Sequence, residues 1–280
     1  MGTYAVTGAR SGMGRAVADR LAENGHRVVT IDLADADVVA DLSTSEGRQS
    51  AAAEVLTQCG GALDGAVMAA GIGPVPGSGM PRRILEVNHF GVVDLLDAWR
   101  PALAAAGTSR VVVVASNSPT VTPAVPTRVV KALLSGDGER AARALNRFGG
   151  RASVFAYAAS KLAVSRWVRR QAVTPAWAGE GIRLNAIAPG AVLTPLLEAQ
   201  LADPQQARLV KNFPIPVGHY GDADEIADWV LFMLGPSAGS LCGSVVFVDG
   251  GSDAWFRADD WPRTVPLRSI RGYLKRMRAA

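Results

Sequence analysis

Tyr157 and Lys161 stand four positions apart in Tyr157-Ala158-Ala159-Ser160-Lys161, within a stretch of helical pattern. On a helix that spacing places both on one face. An ammonium beside a phenol stabilises the phenolate and lowers its pKa toward working pH, which is what a general acid/base needs. Alone, such a pair is usually a solvated surface pair. It becomes chemistry when a third group fixes the reacting oxygen and a cofactor site lies beside it. Ser116 offers the third group. It ends the apolar run 111–115, and its hydroxyl can donate to a carbonyl oxygen at the carboxyl edge of a sheet. Ser118 competes for the same role. Asn88 falls inside a predicted helix, where asparagine has poor propensity. It reads either as a solvated helix-face residue or as a polar group holding a water near Lys161.

The cofactor loop is at the other end of the chain. Thr7-Gly8-Ala9-Arg10-Ser11-Gly12-Met13-Gly14 directly follows a predicted strand and opens a predicted helix. Gly8 suits a tight turn, Gly12 a close approach of backbone to a pyrophosphate, and Gly14 close helix–strand packing. The helix N-terminus then offers free N–H groups to phosphates. Gly8, Arg10, Ser11, Gly12, Met13 and Gly14 are therefore candidate dinucleotide-binding residues. Asp32 ends the second predicted strand, 18 positions after Gly14. A carboxylate there accepts from ribose hydroxyls and repels a 2′-phosphate, which favours NAD over NADP. Arg10 argues the other way, since a guanidinium can hold that phosphate. Asp32 occupies the diagnostic position and carries more weight.

The elements that must position these residues read as an α/β alternation. Strands are predicted at 4–7, 27–32, 38–40, 63–68, 110–115, 183–187 and 244–248. Helices are predicted at 15–24, 45–58, 81–106, 154–178 and 222–234. The strands are apolar throughout and hardly alternate, as expected for parallel strands buried on both faces. The expectation is a Rossmann-type, doubly wound parallel sheet with helices on both faces, in a single domain over residues 1–253. Residues 120–150 interrupt the alternation with a helical pattern of their own. Residues 254–280 form a C-terminal extension.

Composition narrows the classes. With 49 % hydrophobic and 19 % charged residues the chain is not a disordered one. Its apolar runs are too short to span a bilayer. The opening residues lack the pattern of a signal peptide, and two distant cysteines, Cys59 and Cys242, suit a reduced compartment. A cytoplasmic location is expected. No metal-ligand spacing is present. The net charge of +4 comes from the extension: residues 257–280 carry seven basic and two acidic side chains, which leaves −1 on the rest. A nucleic-acid partner would want its basic stripe on the fold itself, so none is expected.

Taken together, the glycine loop, Asn88, Ser116 and Tyr157-x-x-x-Lys161 resemble the short-chain dehydrogenase/reductase family. Met68-Ala69-Ala70-Gly71 resembles the family's Asn-Asn-Ala-Gly segment, with Met in place of the first Asn. Pro189-Gly190 and Thr194-Pro195 resemble its loop over the nicotinamide, and Asp249-Gly250-Gly251 its C-terminal signature. The segment 31–43 and the 41-residue interval from Ser116 to Tyr157 are similar to the bacterial 3α-hydroxysteroid dehydrogenase/carbonyl reductase branch of that family.

The resemblance implies an oxidoreductase. Tyr157 would act as acid/base, Lys161 would bind the nicotinamide ribose and depress the Tyr157 pKa, Ser116 would fix the oxygen, and Asn88 would support a proton relay. Leu33, Asp41 and Leu42 would lie toward the adenine. Ala70, Gly71, Pro189, Gly190 and Thr194 would complete the cofactor site. The cofactor would be NAD rather than NADP, and the substrate a hydroxysteroid or another bulky hydrophobic alcohol or ketone. Leu193, Leu196, Leu197, Leu201 and Phe213 would wall its pocket, though core packing explains them equally well. A reductase of small carbonyls, quinones or acyl thioesters keeps the same chemistry. A non-catalytic dinucleotide sensor is a different class, and it has no use for Ser116, Tyr157 and Lys161 together.

Two segments carry expectations of their own. In 120–150 the apolar residues Val129, Val130, Leu133, Leu134 and Leu145 need a surface to cover, and the resemblance implies a homo-oligomer contact there. In the extension, Leu267, Ile270, Leu274 and Met277 form one stripe of a short helix flanked by basic residues. That reads either as a frayed, solvated terminus or as an amphipathic helix that docks on an anionic surface, lipid or partner.

Overall fold

The structure is a computed structural model of the full chain. It describes residues 1–262 and 264–278; for Gln205, Gln206, Leu209, Arg268 and Arg276 it describes the backbone alone. The expectations for the extension that fall on Arg263, Ala279, Ala280 and the side chains of Arg268 and Arg276 lie outside the described residues.

Seven parallel strands form the main sheet: β1 (Thr3–Thr7), β2 (Arg27–Asp32), β3 (Val38–Val39), β4 (Gly65–Met68), β5 (Ser109–Val114), β6 (Ile182–Pro189) and, after a short ribbon of β7 (Val192–Leu193) and β8 (Gly221–Asp222), β9 (Val245–Val248). Their spatial order is β3-β2-β1-β4-β5-β6-β9, so the winding reverses between β1 and β4. Neighbours run in step, with Thr7 paired to Ile31 on one side and Met68 on the other.

Apolar side chains on both faces make this a buried sheet, as the non-alternating strands implied. Val6, Val67, Val112 and Val114 face α1 (Gly12–Glu23) and a later helix at Ala223–Leu234, where Val17, Leu21, Ile226 and Val230 close the layer. Ala5, Ala66, Val111 and Val113 face the other way. They pack against Val55 of α2 (Ser45–Gln58), Trp99 of the helix Gly91–Ala105 and Trp167 of the helix Ala152–Gln171. The fold class is thus the doubly wound sheet the sequence implied.

Two predicted helices are broken. The stretch 81–106 divides into α3 (Met80–Leu85), a π-helical turn at Glu86–Phe90, and α4 (Gly91–Ala105). Extra residues in a helical turn of this kind recur at functional sites, and Asn88 sits in it. The stretch 154–178 ends as a regular helix at Gln171, and a π-helical turn follows at Pro175–Gly179, where Pro175 cannot continue the hydrogen-bond ladder.

The interruption at 120–150 holds α5 (Ser118–Val121), α6 (Thr127–Leu134) and α7 (Gly138–Leu145), which lead into α8 (Ala152–Gln171). Val129, Val130, Leu133 and Leu145 are buried within the chain, in a cluster with Ile84 and Leu85 of α3 and Ala156, Ala159 and Ala163 of α8, and Leu134 is partly buried against it. α3 and α8 thus cover these four positions of the stripe. The remaining helices are α9 (Pro195–Ala202), α10 (Pro204–Lys211), α11 (Ala223–Leu234), α12 (Ser252–Arg257) and α13 (Ile270–Met277). Among the described residues no helix is long and apolar enough to cross a membrane.

Candidate active site

A cleft of about 230 Å³ crosses the carboxyl edge of the sheet at the β1/β4 reversal, where doubly wound sheets bind ligands. Its floor is the glycine loop. Gly8 has φ +70°, and a Cβ there would fall 2.7 Å from the Ala70 nitrogen. The Gly8 amide donates to Ile31 O at 2.8 Å, and the Ala70 amide donates to Thr7 Oγ1 at 3.1 Å, so the loop is tied to both neighbouring strands. A Cβ on Gly14 would meet Gly8 O at 2.2 Å, hence its close packing under the turn. Ser11 caps α1 without a side-chain hydrogen bond. The first-turn N–H groups of α1 are left for an anion.

Gly8, Ser11, Gly12, Met13, Gly14, Asp32, Leu33, Asp41, Leu42, Ala70, Gly71 and Thr194 all line this cleft. Of the residues expected in the loop, Arg10 alone does not. Its backbone N–H donates to Asp32 Oδ2 at 2.9 Å, and its guanidinium turns outward to Asp35 at 3.1 Å, with both side chains mostly exposed. The other Asp32 oxygen accepts from the Leu33 N–H at 2.7 Å. Asp32 therefore closes the end of the cleft with a carboxylate held by two backbone donors. Asp41 lies nearby. Burial pushes its carboxyl up, but hydrogen bonds from Ser43 and the charge of Arg83, 3.3 Å away, outweigh this and hold it below its ordinary value. Arg83 lines the cleft and was missed in the sequence; Arg82-Arg83 on a predicted helix gave no sign of which arginine turns inward.

The cleft opens into a larger pocket of about 540 Å³, and Met13, Thr194 and Leu196 line both. Ser116, Ser118, Tyr157, Pro189 and Gly190 stand in its wall. Ser116 faces Tyr157 in this wall, and its hydroxyl works against the burial that raises the Tyr157 pKa. Ser116 Oγ also accepts the Ser118 N–H at 3.0 Å. Ser118 thus holds Ser116 through its backbone, while its own buried hydroxyl has no partner among the described residues. Asn117, between them, donates to Asp249 Oδ2 at 3.2 Å, and the Asp249 carboxylate also receives the backbone N–H groups of Gly251 and Asp253. The Asp249-Gly250-Gly251 segment is therefore a clamp on the strand end that carries Ser116.

One expectation differs here. Burial raises the Tyr157 pKa above its ordinary value, the Ser116 hydroxyl only partly offsets it, and Lys161 is not among the groups that lower it. Lys161 Nζ instead donates to Val114 O at 2.7 Å. Burial in turn lowers Lys161 to about 8. The Asn88 side chain clasps the backbone of Ile72, accepting from the N–H at 2.8 Å and donating to the C=O at 2.9 Å, and its Nδ2 also lies 3.4 Å from Ser160 Oγ. It thereby fixes the segment after β4 beside Gly71, where an added Cβ would sit 3.6 Å from Lys161 Nζ.

Leu196, Leu197 and Phe213 line the larger pocket, whereas Leu193 and Leu201 do not. The walls that sequence reading missed are Pro74 and Pro76 after β4, Val121 and Thr122 of the interruption, Val154 of α8, and Gln200, Asp203 and Val210. They come from loops and from the ends of four different helices, so no single periodicity marks them.

The cleft fits a dinucleotide on its own geometry: a glycine cradle with no room for side chains, a helix N-terminus without a side-chain cap, and a carboxylate at the far end. Comparison with known proteins agrees. Residues 3–126 match the short chain dehydrogenase model, and residues 141–253 match that of the enoyl-(acyl carrier protein) reductase group. The chain is 37 % identical over 257 residues to the 3-alpha-hydroxysteroid dehydrogenase/carbonyl reductase of Comamonas testosteroni, covering 92 % of this chain and 98 % of that one. The crystal structure of the 3-alpha-hydroxysteroid dehydrogenase from Pseudomonas sp. B-0831 complexed with NADH superposes with a TM-score of 0.86 at 43 % identity, over 92 % and 99 % of the two chains. Levodione reductase of Leifsonia aquatica is a more distant relative, 29 % identical over 89 % of this chain and 93 % of that one. The chain belongs to the short-chain dehydrogenase/reductase family, oxidoreductases of alcohols and ketones that bind a nicotinamide dinucleotide.

Proposed function

We propose that the chain interconverts a secondary alcohol and a ketone on a bulky hydrophobic molecule of the hydroxysteroid class, with NAD(H) as cofactor. The observation that carries this is that Ser116 and Tyr157 share the wall of a large pocket that opens, past Met13, Thr194 and Leu196, from a dinucleotide-shaped cleft. The pocket is walled by Pro74, Val121, Val154, Leu196, Leu197 and Phe213, which suits a rigid apolar body. The names of the Comamonas and Pseudomonas relatives point to the same substrate class.

When bound, the nicotinamide dinucleotide gives or takes the hydride. The chain supplies position and protons. Gly8, Ser11, Gly12, Met13 and Gly14 hold the pyrophosphate against α1. Asp32 accepts from the adenosine ribose and repels a 2′-phosphate, with Leu33, Asp41 and Leu42 beside the adenine. Ala70, Gly71, Pro189, Gly190 and Thr194 frame the nicotinamide end, where Lys161 is the buried donor for its ribose. Ser116 donates to the substrate oxygen. In ketone reduction the Tyr157 phenol gives its proton to that oxygen, and in alcohol oxidation the phenolate takes it. Asn88 acts indirectly, by fixing Ile72 and so Gly71. Ser118 assists Ser116 through its backbone N–H rather than replacing it, since its own hydroxyl is buried.

Cofactor reduction measured with NAD and with NADP, against 3-hydroxysteroids, aliphatic alcohols and quinols, tests the reading. Turnover of steroids with NAD at least tenfold above the other combinations is expected. A preference for small alcohols, quinols or NADP would overturn it.

A further inference from the structure

The family matches end at residue 253, and beyond them the structure has a helical extension with its apolar side uncovered. α13 makes its main contacts with the turn at Leu267–Ser269 that precedes it. On α13, Ile270, Tyr273, Leu274 and Met277 follow the i, i+3, i+4, i+7 spacing of one face, and all four are exposed, Met277 by 63 %. Trp255, Phe256, Trp261, Val265 and Leu267 add to the exposed apolar surface, with Trp261 at 64 % and Leu267 at 84 %. Isolated exposed apolar residues are ordinary, but a concentration of them in one terminal segment marks an interaction surface.

Charge selects the occupant. Residues 266–280 carry five basic residues and no acidic one. Within α13, Arg271 and Lys275 fall on the sides away from the apolar face. The pattern lacks the acidic partners of a solvated helix. A second copy of this chain would present a body of net charge −1, too little to match such a tail. A bilayer surface with anionic headgroups meets both halves at once: it takes the apolar face to the level of the acyl chains and leaves the cations among the phosphates, with Tyr273 and Trp261 suited to the interface between them.

We propose that residues 258–280 are a peripheral membrane anchor that docks the enzyme on anionic lipid through the Ile270–Met277 face. Each cation near an anionic surface multiplies partitioning about fivefold, so five of them are decisive while one is not. The anchor is reversible, since α13 is far shorter than a bilayer-spanning helix.

Flotation of the full chain with phosphatidylcholine vesicles, with and without phosphatidylglycerol, tests this alongside two variants: a chain ending at Arg257, and the full chain with Ile270→Glu and Leu274→Glu. The exposed positions of both substitutions leave folding and turnover unaffected. Expected are binding of the full chain to anionic vesicles at least tenfold above neutral ones, loss of that binding at high salt, and its absence from both variants. Full-length protein that stays with the buffer, or variants that bind as the full chain does, would overturn the proposal. So would a light-scattering mass that falls on truncation while vesicle binding is absent, which would assign the face to a second copy instead.

Discussion

Lys161 Nζ donates to Val114 O at 2.7 Å, at the end of the strand that carries Ser116 two residues later. The lysine is buried, and its folded pKa is about 8 against an ordinary 10.5. The consequence for stability has a definite sign. A lysine lowered on folding must be forced to keep its proton in the native state below its folded pKa, so it destabilises there. Between about pH 8 and 10.5 the unfolded chain binds the extra proton, and stability rises with pH. Lys161→Met removes that titration. The variant should therefore unfold at higher denaturant than wild type at pH 7, by about 1–3 kcal/mol after the orphaned Val114 carbonyl is counted. The difference should shrink as pH rises through 8 to 10. Parallel urea curves with a pH-independent gap would show that the charge is not what burial penalises.

Tyr157 leads to a directional prediction. Its pKa is raised by burial, so at neutral pH it is a phenol, already the proton donor that ketone reduction requires. Oxidation requires the phenolate. The oxidative kcat/KM should thus climb steadily between pH 7 and pH 10, while the reductive value stays flat or falls. Tyr157→Phe should lower both by about 10²–10⁴ and leave NADH binding within a few fold. Near-normal turnover of that variant would end the assignment of Tyr157.

Ser116 and Ser118 separate cleanly. Ser116 Oγ accepts the Ser118 N–H and lowers the Tyr157 pKa against burial, whereas Ser118 contributes through its backbone and has a buried hydroxyl without a partner among the described residues. Ser116→Ala should cost about 10²-fold or more in kcat. Ser118→Ala keeps the backbone donor and should cost no more than about tenfold. Equal losses would mean that the two hydroxyls share the oxygen.

The sheet was legible because its strands are apolar on both faces and alternate with helical periods. The Tyr157–Lys161 pair was legible because its four-residue spacing is local, and Ser116 because it ends an apolar run. Other features depend on contacts that no periodicity encodes. The outward turn of Arg10 is set by Asp35, three residues beyond Asp32. The clasp of Asn88 on Ile72 needs the π-helical turn at Glu86–Phe90 and the segment after β4 brought side by side. The apolar stripe at 129–145 was correctly seen as needing cover, but a stripe does not say whether its cover comes from the same chain. The short interval between α3 and α8 in space, with sequence separations of 40 residues and more, is a tertiary fact.

Asp32 bears on the choice of cofactor, and its two backbone bonds complicate the obvious test. Asp32→Ala removes the charge and also frees the Arg10 and Leu33 amides that shape the loop. Asp32→Asn removes the charge while keeping one of the two acceptors, so it disturbs the loop less than Ala does. The Asn variant should narrow the NAD:NADP ratio of kcat/KM by about tenfold or more through relief of 2′-phosphate repulsion, with NAD turnover little changed. The Ala variant should lose activity with both cofactors. An Asn variant that keeps the wild-type ratio would show that shape, not charge, excludes the phosphate.

Leu133 provides the test of what residues 120–150 do. It is 1 % exposed, packed among Ile84, Leu85, Val129 and Ala163, and its backbone oxygen pairs with the buried His89 ring. If the apolar stripe belonged to a contact between copies, shaving Leu133 would weaken assembly first. Since the stripe lies between α6, α3 and α8, Leu133→Ala should instead leave a cavity in the monomer core and lower unfolding free energy by about 2–5 kcal/mol. The light-scattering mass of the folded protein should be unchanged. Because α8 carries both Tyr157 and Lys161, that loss should also appear as a faster thermal decline of turnover at unchanged KM. A drop in oligomer mass without loss of stability would return the stripe to an intersubunit role.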